Sequence, residues 1–375
     1  MNKSMKARPF GRRSGLKVAP VSIGAMRFPQ DVTDAVALIR RAIDAGMRYI
    51  DTSRGYGESE FVLGRALKDG YRKKVILSTK CSPWTKKVRD DDTEAADCVL
   101  RRIEESITRL DVEYLDFYQV WNLSSAEAWQ AATKKGGMVD GIRKAMKRGL
   151  VKHTGLTTHD SPQSLLENLP QADWCEVVLA SYNLLNTAYE PVLARARELG
   201  MGTIVMNPVG GGKLTEESAV LKRLARKVGA TSVADLAVRF VLANPNVDTI
   251  LCGMNRPGDV DATVASAHRP AFTAEQVAAI RKFLAERTPK SVGFCTACNY
   301  CMPCPKGLPI PAIMGAIYEH RFLGFKAAAR SMYQWCGPVK ADACSHCRQC
   351  EPKCTQKLKI SDEMTWAAKT LAPAK

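Results

Sequence analysis

The sequence predicts an α/β fold, a (β/α)8 TIM barrel followed by a small helical domain. Three observations carry that expectation. Short β-branched runs alternate with longer amphipathic segments from residue 21 to about 290, the pattern of repeated βα units over a parallel sheet. Eight such runs occur, the number at which a barrel of this type closes. Nine of the thirteen cysteines fall from Cys295 onward, a compositional shift that marks a second domain. The expected boundaries are 1–290 for the barrel and 291–375 for the tail.

Taken in order, the elements begin with Arg8 to Lys17, a hairpin pattern placed to plug the bottom of the barrel. Strands follow at Val21-Ser22-Ile23, Tyr49-Ile50-Asp51, Val75 to Ser78, Asp116 to Trp121, Thr154-Gly155-Leu156, Val177 to Ala180, Thr203 to Met206 and Thr249-Ile250-Leu251. Thr33 is placed to cap the first helix, whose Val36, Ile39 and Ile43 share a face and whose end is marked by Gly46. Leu100, Ile103, Ile107 and Leu110 repeat that spacing. Pro191 suits a first helical position and Gly200 a stop. Two helical patterns, around Ala219 to Lys227 and Val233 to Leu242, fill the interval between the seventh and eighth strands.

At 46% apolar residues the chain can bury a large core, yet no stretch approaches the roughly 18 uncharged apolar residues of a membrane span. Arg12-Arg13-Ser14-Gly15-Leu16-Lys17 faintly echoes a twin-arginine export signal. The apolar segment after it is short, broken by Pro20 and Gly24, and ends at Arg27 without a small-residue cleavage site. The expectation is a cytoplasmic protein with no membrane partner. Its formal charge of +17 is spread over many helices without the aromatic-interleaved basic stripe of a nucleic-acid reader. Such a field suits an anionic small-molecule substrate or an acidic redox partner such as ferredoxin or flavodoxin.

In the tail, Cys295, Cys298, Cys301 and Cys304 stand three apart and precede Pro305, and Cys344, Cys347, Cys350 and Cys354 form a second run. Neighbouring thiols at this spacing rarely reach disulfide geometry. Zinc sites usually join two distant pairs rather than one continuous run, although a zinc pair stays open. The second run has the C-x2-C-x2-C-x3-C spacing of bacterial ferredoxin ligands, whose fourth cysteine serves the neighbouring cluster. Two [4Fe–4S] clusters follow, one held by Cys295, Cys298, Cys301 and Cys354, the other by Cys344, Cys347, Cys350 and Cys304. The tail is thus expected to be a ferredoxin-like iron–sulfur domain, with Thr355 in place of the usual proline. Cys336, between the runs, reads as a packed residue, as do the single barrel cysteines Cys81, Cys98, Cys175 and Cys252.

Asp51, Tyr56 and Lys80 gather at the ends of the second and third strands, where a barrel of this kind does its chemistry. A phenol is a poor acid at neutral pH unless a cation stabilises its phenolate, and Lys80 can do that while Asp51 orients Lys80. With the segments GRRSGLKVAPVSIGAMRF, YIDTSRGYG, LSTK, YLDFYQVWN, SYNLLN and MNPVGGGKL and the two cysteine runs, the chain resembles the aldo-keto reductase superfamily, in particular its bacterial branch with a ferredoxin-like C-terminal extension. The resemblance implies a reductase dependent on NADP or NAD, acting on a carbonyl or conjugated C=C. Its catalytic tetrad maps onto Asp51, Tyr56 as proton donor, Lys80 and, where the family has histidine, Trp121. An indole can donate one hydrogen bond but cannot relay a proton.

The cofactor positions implied by the resemblance are Thr157, Thr158 and Asn183, the loop Gly210, Gly211 and Lys213, and, after the last strand, Asn255 and Arg256. His159 is placed beside the pocket. Hydride brings two electrons and a cluster takes one, so the chain needs a means of splitting the pair; a bound flavin is one. Other readings are a ferredoxin-like electron-transfer protein and a cluster-driven reductase whose modified barrel does not use nicotinamide.

Overall fold

The computed structural model describes residues 5–81, 95–121, 123, 125–158, 161–216, 218–287, 295, 297, 299–354 and 356–373. Two short strands, β1 (Arg8–Pro9) and β2 (Lys17–Val18), pair antiparallel. Eight parallel strands then close a barrel: β3 (Val21–Gly24), β4 (Tyr49–Asp51), β5 (Ile76–Cys81), β6 (Leu115–Val120), β7 (Val151–Thr157), β8 (Val177–Ser181), β9 (Gly202–Met206) and β10 (Thr249–Cys252), with β10 pairing β3. All eight lie where the sequence puts them.

Between strands run α1 (Val32–Asp44), α2 (Ser59–Ala66), α3 (Ala96–Leu110), α4 (Ala126–Thr133), α5 (Met138–Lys147), α6 (Pro162–Asn168), α7 (Glu190–Glu198), α8 (Ala219–Lys227), α9 (Val233–Leu242) and α10 (Pro257–His268). The apolar stripe of α1 is buried through Ala35, Leu38, Ile39 and Ile43. Its cap is Asp31 rather than Thr33, because the Asp31 carboxylate accepts from Asp34 N at 3.0 Å. Asp is at least as good an N-cap as Thr, and Asp31 stands just before the helix whereas Thr33 is already inside it.

Beneath the barrel, the turn between β1 and β2 drives Phe10 into the sheet, where it meets Tyr49 edge-on at 5.4 Å and Phe117 at 5.7 Å. Val177, Leu179 and Ile204 complete this cluster. Arg13 ties the turn down by donating to Ala172 O at 2.8 Å and Cys175 O at 2.7 Å. The hairpin therefore seals the end opposite the strand C-termini, and leaves chemistry to the other end.

The chain divides into two compact units, one of Met1–Val209 and Ala237–Ala271, the other of Gly210–Leu236 and Phe272–Lys375. The second adds α11 (Ala274–Ala285), α12 (Ile310–Arg321), α13 (Lys326–Trp335) and α14 (Ile360–Thr370). Its core is Ile310, Ile313, Met314 and Ile317 of α12 against Tyr333 of α13 and Ile360 and Met364 of α14. Cys295, Cys301, Cys304, Cys336, Cys344, Cys350 and Cys354 pack on that core. Among the described residues no helix is long and apolar enough to cross a membrane.

Candidate active site

β4 ends in Asp51 and β5 carries Lys80, and their pairing in register sets the two side chains together at the top of the barrel. Lys80 Nζ is ion-paired with Asp51 Oδ2 and donates to Thr52 O at 2.9 Å. Both side chains are almost wholly buried, at 2% and 5% exposure. Tyr56, on the loop between β4 and α2, places its ring 5.1 Å from Lys80 Nζ and hydrogen-bonds the ammonium. It keeps partial access to solvent. Burial by itself would lower the Lys80 pKa, but Asp51 and Tyr56 outweigh it, and Lys80 is held as the ammonium above the usual lysine value. Burial raises the Tyr56 phenol, and Lys80 pulls against that rise. The phenol therefore carries its proton at neutral pH.

The loop bearing Tyr56 is fixed by buried polar contacts. Ser53 Oγ donates to Lys80 O at 3.0 Å and accepts from Gly55 N at 3.0 Å. Glu60, with no exposed surface, accepts from Thr79 Oγ1 at 2.8 Å and pairs with Arg109 at 2.9 Å. Arg109 in turn donates to Gly57 O at 2.8 Å. Trp121 packs edge-to-face on Tyr56, with centroids 5.8 Å apart at 78°. The structure thus joins four sequence-chosen residues, Asp51, Tyr56, Lys80 and Trp121, in one constellation.

Sequence reasoning missed Gln119, Ser78, Glu60 and Arg109. The signal for the first lay in YQV: a glutamine inside an apolar strand, which demands a buried partner. Gln119 Nε2 meets Asp51 Oδ1 at 3.1 Å, Ser78 Oγ at 2.7 Å and Tyr49 Oη at 3.2 Å.

The expected cofactor positions are more dispersed. Thr157 and Thr158 are buried at the end of β7, and Thr158 Oγ1 donates to Leu123 O at 2.9 Å. The Asn183 amide closes its own turn, donating to Asn207 O and accepting from Leu185 N and Asn186 N. Asn255 and Arg256 are exposed before α10, where Arg256 pairs with Asp259 at 3.1 Å. Gly210, Gly211 and Lys213 belong to the second unit. The glycines adopt φ of +60° and +69°, and Lys213 pairs with Glu319 at 2.6 Å. His153 stacks on Phe117 and bonds Glu176 at 2.8 Å, a structural arrangement. His159 lies outside the described residues.

In the tail, Cys295, Cys301 and Cys354 line one cavity of about 340 Å³, including the space open to solvent, with Ile310, Met314 and Ile360 as its apolar wall. The described residues of the two cysteine runs repeat one backbone feature. The second and fourth residues after Cys295, Ala297 and Asn299, have φ of +54° and +64°, and those after Cys344, His346 and Arg348, have +53° and +54°. Left-handed backbone at non-glycine residues costs of order 1 kcal/mol each and persists only where the surroundings dictate it. Alternating conformations of this kind turn successive N–H groups into an anion-binding concavity. Burial pushes the Cys350 thiol up to about 11, with Cys301 and Cys304 among its electrostatic neighbours. Cys298 lies outside the described residues, and among these no three His, Cys, Asp or Glu side chains converge on a single-ion site.

A model of the aldo/keto reductase family matches residues 20–285. L-galactose dehydrogenase of Arabidopsis thaliana is 27% identical over 68% of this chain and 85% of its own length. Aldo-keto reductase YhdN of Bacillus subtilis is 27% identical over 64% of this chain and 80% of its own. Among solved structures, the holo form of aldo-keto reductase AKR11C1 from Bacillus halodurans superposes with a TM-score of 0.64 at 24% identity, covering 74% of this chain and 96% of that one.

Proposed function

This chain belongs to the aldo/keto reductase family and is an oxidoreductase, and on that premise we propose that it reduces a carbonyl or conjugated C=C with NADPH or NADH, Tyr56 giving the proton. The observation that carries the reading is the buried Asp51–Lys80 pair presented to the partly exposed Tyr56 phenol at the barrel's catalytic end. A bound nicotinamide supplies hydride, and bound clusters supply single electrons. As hydride reaches carbon, Tyr56 donates its Oη proton to the substrate oxygen, or to the enolate that a conjugated substrate forms. Lys80 stabilises the phenolate left behind, and Asp51 fixes Lys80. Trp121 walls the site beside Tyr56 and contributes at most one N–H donor.

The donor chemistry fits nicotinamide at this reacting end. Thr157, Asn255 and Arg256 of the first unit are the residues proposed for the rest of the dinucleotide; Gly210, Gly211 and Lys213, also expected from the sequence, belong to the second unit. Thr158 and Asn183 have already committed their polar atoms to the backbone. That commitment, with Lys213 paired to Glu319, favours a second reading in which cluster electrons alone drive the reduction.

We further propose a barrel over 1–290 and a ferredoxin-like domain over 291–375 holding two [4Fe–4S] clusters on the ligand sets given by the sequence. Supporting them are three thiols of one set on a common cavity and the repeated left-handed backbone of both runs. The donor set is all thiol, as iron–sulfur clusters require. Anaerobic titration with NADPH and NADH against a panel of carbonyls and conjugated enones tests the reading. Nicotinamide oxidation that depends on an added acceptor is expected; no binding and no oxidation with either form would leave the cluster-driven alternative. Iron and sulfide near eight of each per chain are expected from two four-iron cubes, whereas bound zinc without sulfide would remove the clusters.

A further inference from the structure

We infer that Gln119 is a positioning residue of the proton-delivery site, its side-chain amide keeping the Asp51 carboxylate ionised and aimed at Lys80 so that the ammonium stays available to Tyr56. This rests on the reading of Tyr56 as proton donor. Asp51 divides its two oxygens between two tasks. Oδ2 takes the Lys80 ammonium. Oδ1 faces the barrel interior, where Gln119 Nε2 donates at 3.1 Å and Ser78 Oγ at 3.4 Å.

The direction of the amide is dictated by charge. Turned the other way, Gln119 would set a carbonyl oxygen against the carboxylate. As placed, its Oε1 is buried without a donor among the described residues, a cost of order 1–3 kcal/mol. Such a cost persists where the opposite face of the amide does something the site needs, here solvating a buried anion. Gln119 has no exposed surface, so it reaches no substrate and acts only through Asp51. The titratable groups around the carboxylate are Lys80 from β5, Tyr49 from its own strand and Tyr56 from the loop above, with Asp116 of β6 acting on Tyr49.

Lys80 is the first support of the ionised Asp51, and Ser78 and the Gln119 amide add to it; without the amide that form loses one of its hydrogen bonds, and the shared proton moves from Lys80 toward Asp51. The Tyr56 phenol then loses its cation and becomes a weaker acid. Two measurements test this on the iron-loaded chain. The first is a tyrosinate difference titration, reading wild type minus Tyr56→Phe and Gln119→Leu minus the double variant, without substrate. The Tyr56 midpoint should lie at higher pH in Gln119→Leu. The second is the pH profile of turnover: kcat should fall about 10- to 100-fold, the loss of a hydrogen bond to a charged group, with KM unchanged. Gln119→Glu should recover activity at acid pH, where a protonated carboxyl donates as the amide does, and lose it as the new carboxylate ionises beside Asp51.

An unmoved tyrosinate midpoint in folded Gln119→Leu, or a rate loss equal at every pH with no acid recovery in Gln119→Glu, would overturn the assignment. The titration needs no turnover, so a shifted midpoint in a chain that oxidises no nicotinamide would separate failure of the functional reading from failure of this one.

Discussion

The energetics of the site are set by one fact at the residue scale: an ion pair with almost no exposed surface. Breaking such a pair from one side leaves an uncompensated charge, at a cost of about 3–5 kcal/mol. Lys80→Met should therefore lose stability on that order in chemical denaturation, and Lys80→Met with Asp51→Asn should regain a large part of it. The pair also fixes a pH dependence. Because Lys80 has a folded-state pKa above its ordinary value, its contribution is complete below pH about 10.5 and lost as pH rises through the folded value. Denaturation midpoints followed from pH 8 to 11.5 should fall at the alkaline end, and the fall should be absent in the double variant. At the opposite extreme, burial raises Cys175 and Cys252 to about 12, so neither thiol should be alkylated at pH 8 while the barrel is folded. Modification of either at the rate of a free thiol would contradict their placement. Asp51, Tyr56 and Lys80 were legible because their residue types sit at strand ends. Gln119 and Glu60 were not, because a polar residue inside an element reveals its partner only once strands are in register.

At the scale of elements, the alternation of β-branched runs and amphipathic stripes located all eight strands, since each must bury one or both faces. What escaped the pattern was local. α4 is not among the helices placed from the sequence, because its apolar residues are alanines around the single large Trp129 and mark no strong face; Ser125 starts it by accepting from Ala128 N at 3.2 Å. The close approaches of Gly11 and Gly155 were equally hidden, for nothing in a sequence shows which backbone will lie against a glycine. A Cβ on Gly11, at φ +65°, would strike Met201 and Gly202. The hairpin was legible, and its role as a plug gives a test: Phe10→Ala, removing a ring with no exposed surface, should cost about 3–5 kcal/mol in denaturant titration. A loss below about 1 kcal/mol would mean that the hairpin does not hold the barrel's lower end.

For the whole molecule, the family match ends at residue 285, and both cysteine runs lie beyond it. The tail's apolar core is small, with the thiols packed on its flank, so ligand bonding should contribute to its folding. On the proposed cluster reading, anaerobic chelation should release far-ultraviolet helical signal from α12 to α14 while leaving the barrel's unfolding transition in place. The two cysteine runs stand out in the sequence because their spacing is regular, whereas the residues proposed for the dinucleotide come from separate loops, and Thr158 and Asn183 among them bond the backbone instead. The most direct test of the central claim is single-turnover oxidation of NADPH or NADH by the oxygen-protected, iron-loaded chain with an accepted carbonyl or enone, comparing wild type with Tyr56→Phe. The account predicts unchanged nicotinamide binding and a turnover rate lowered about 10²- to 10⁴-fold in the variant; equal rates for the two proteins would contradict it.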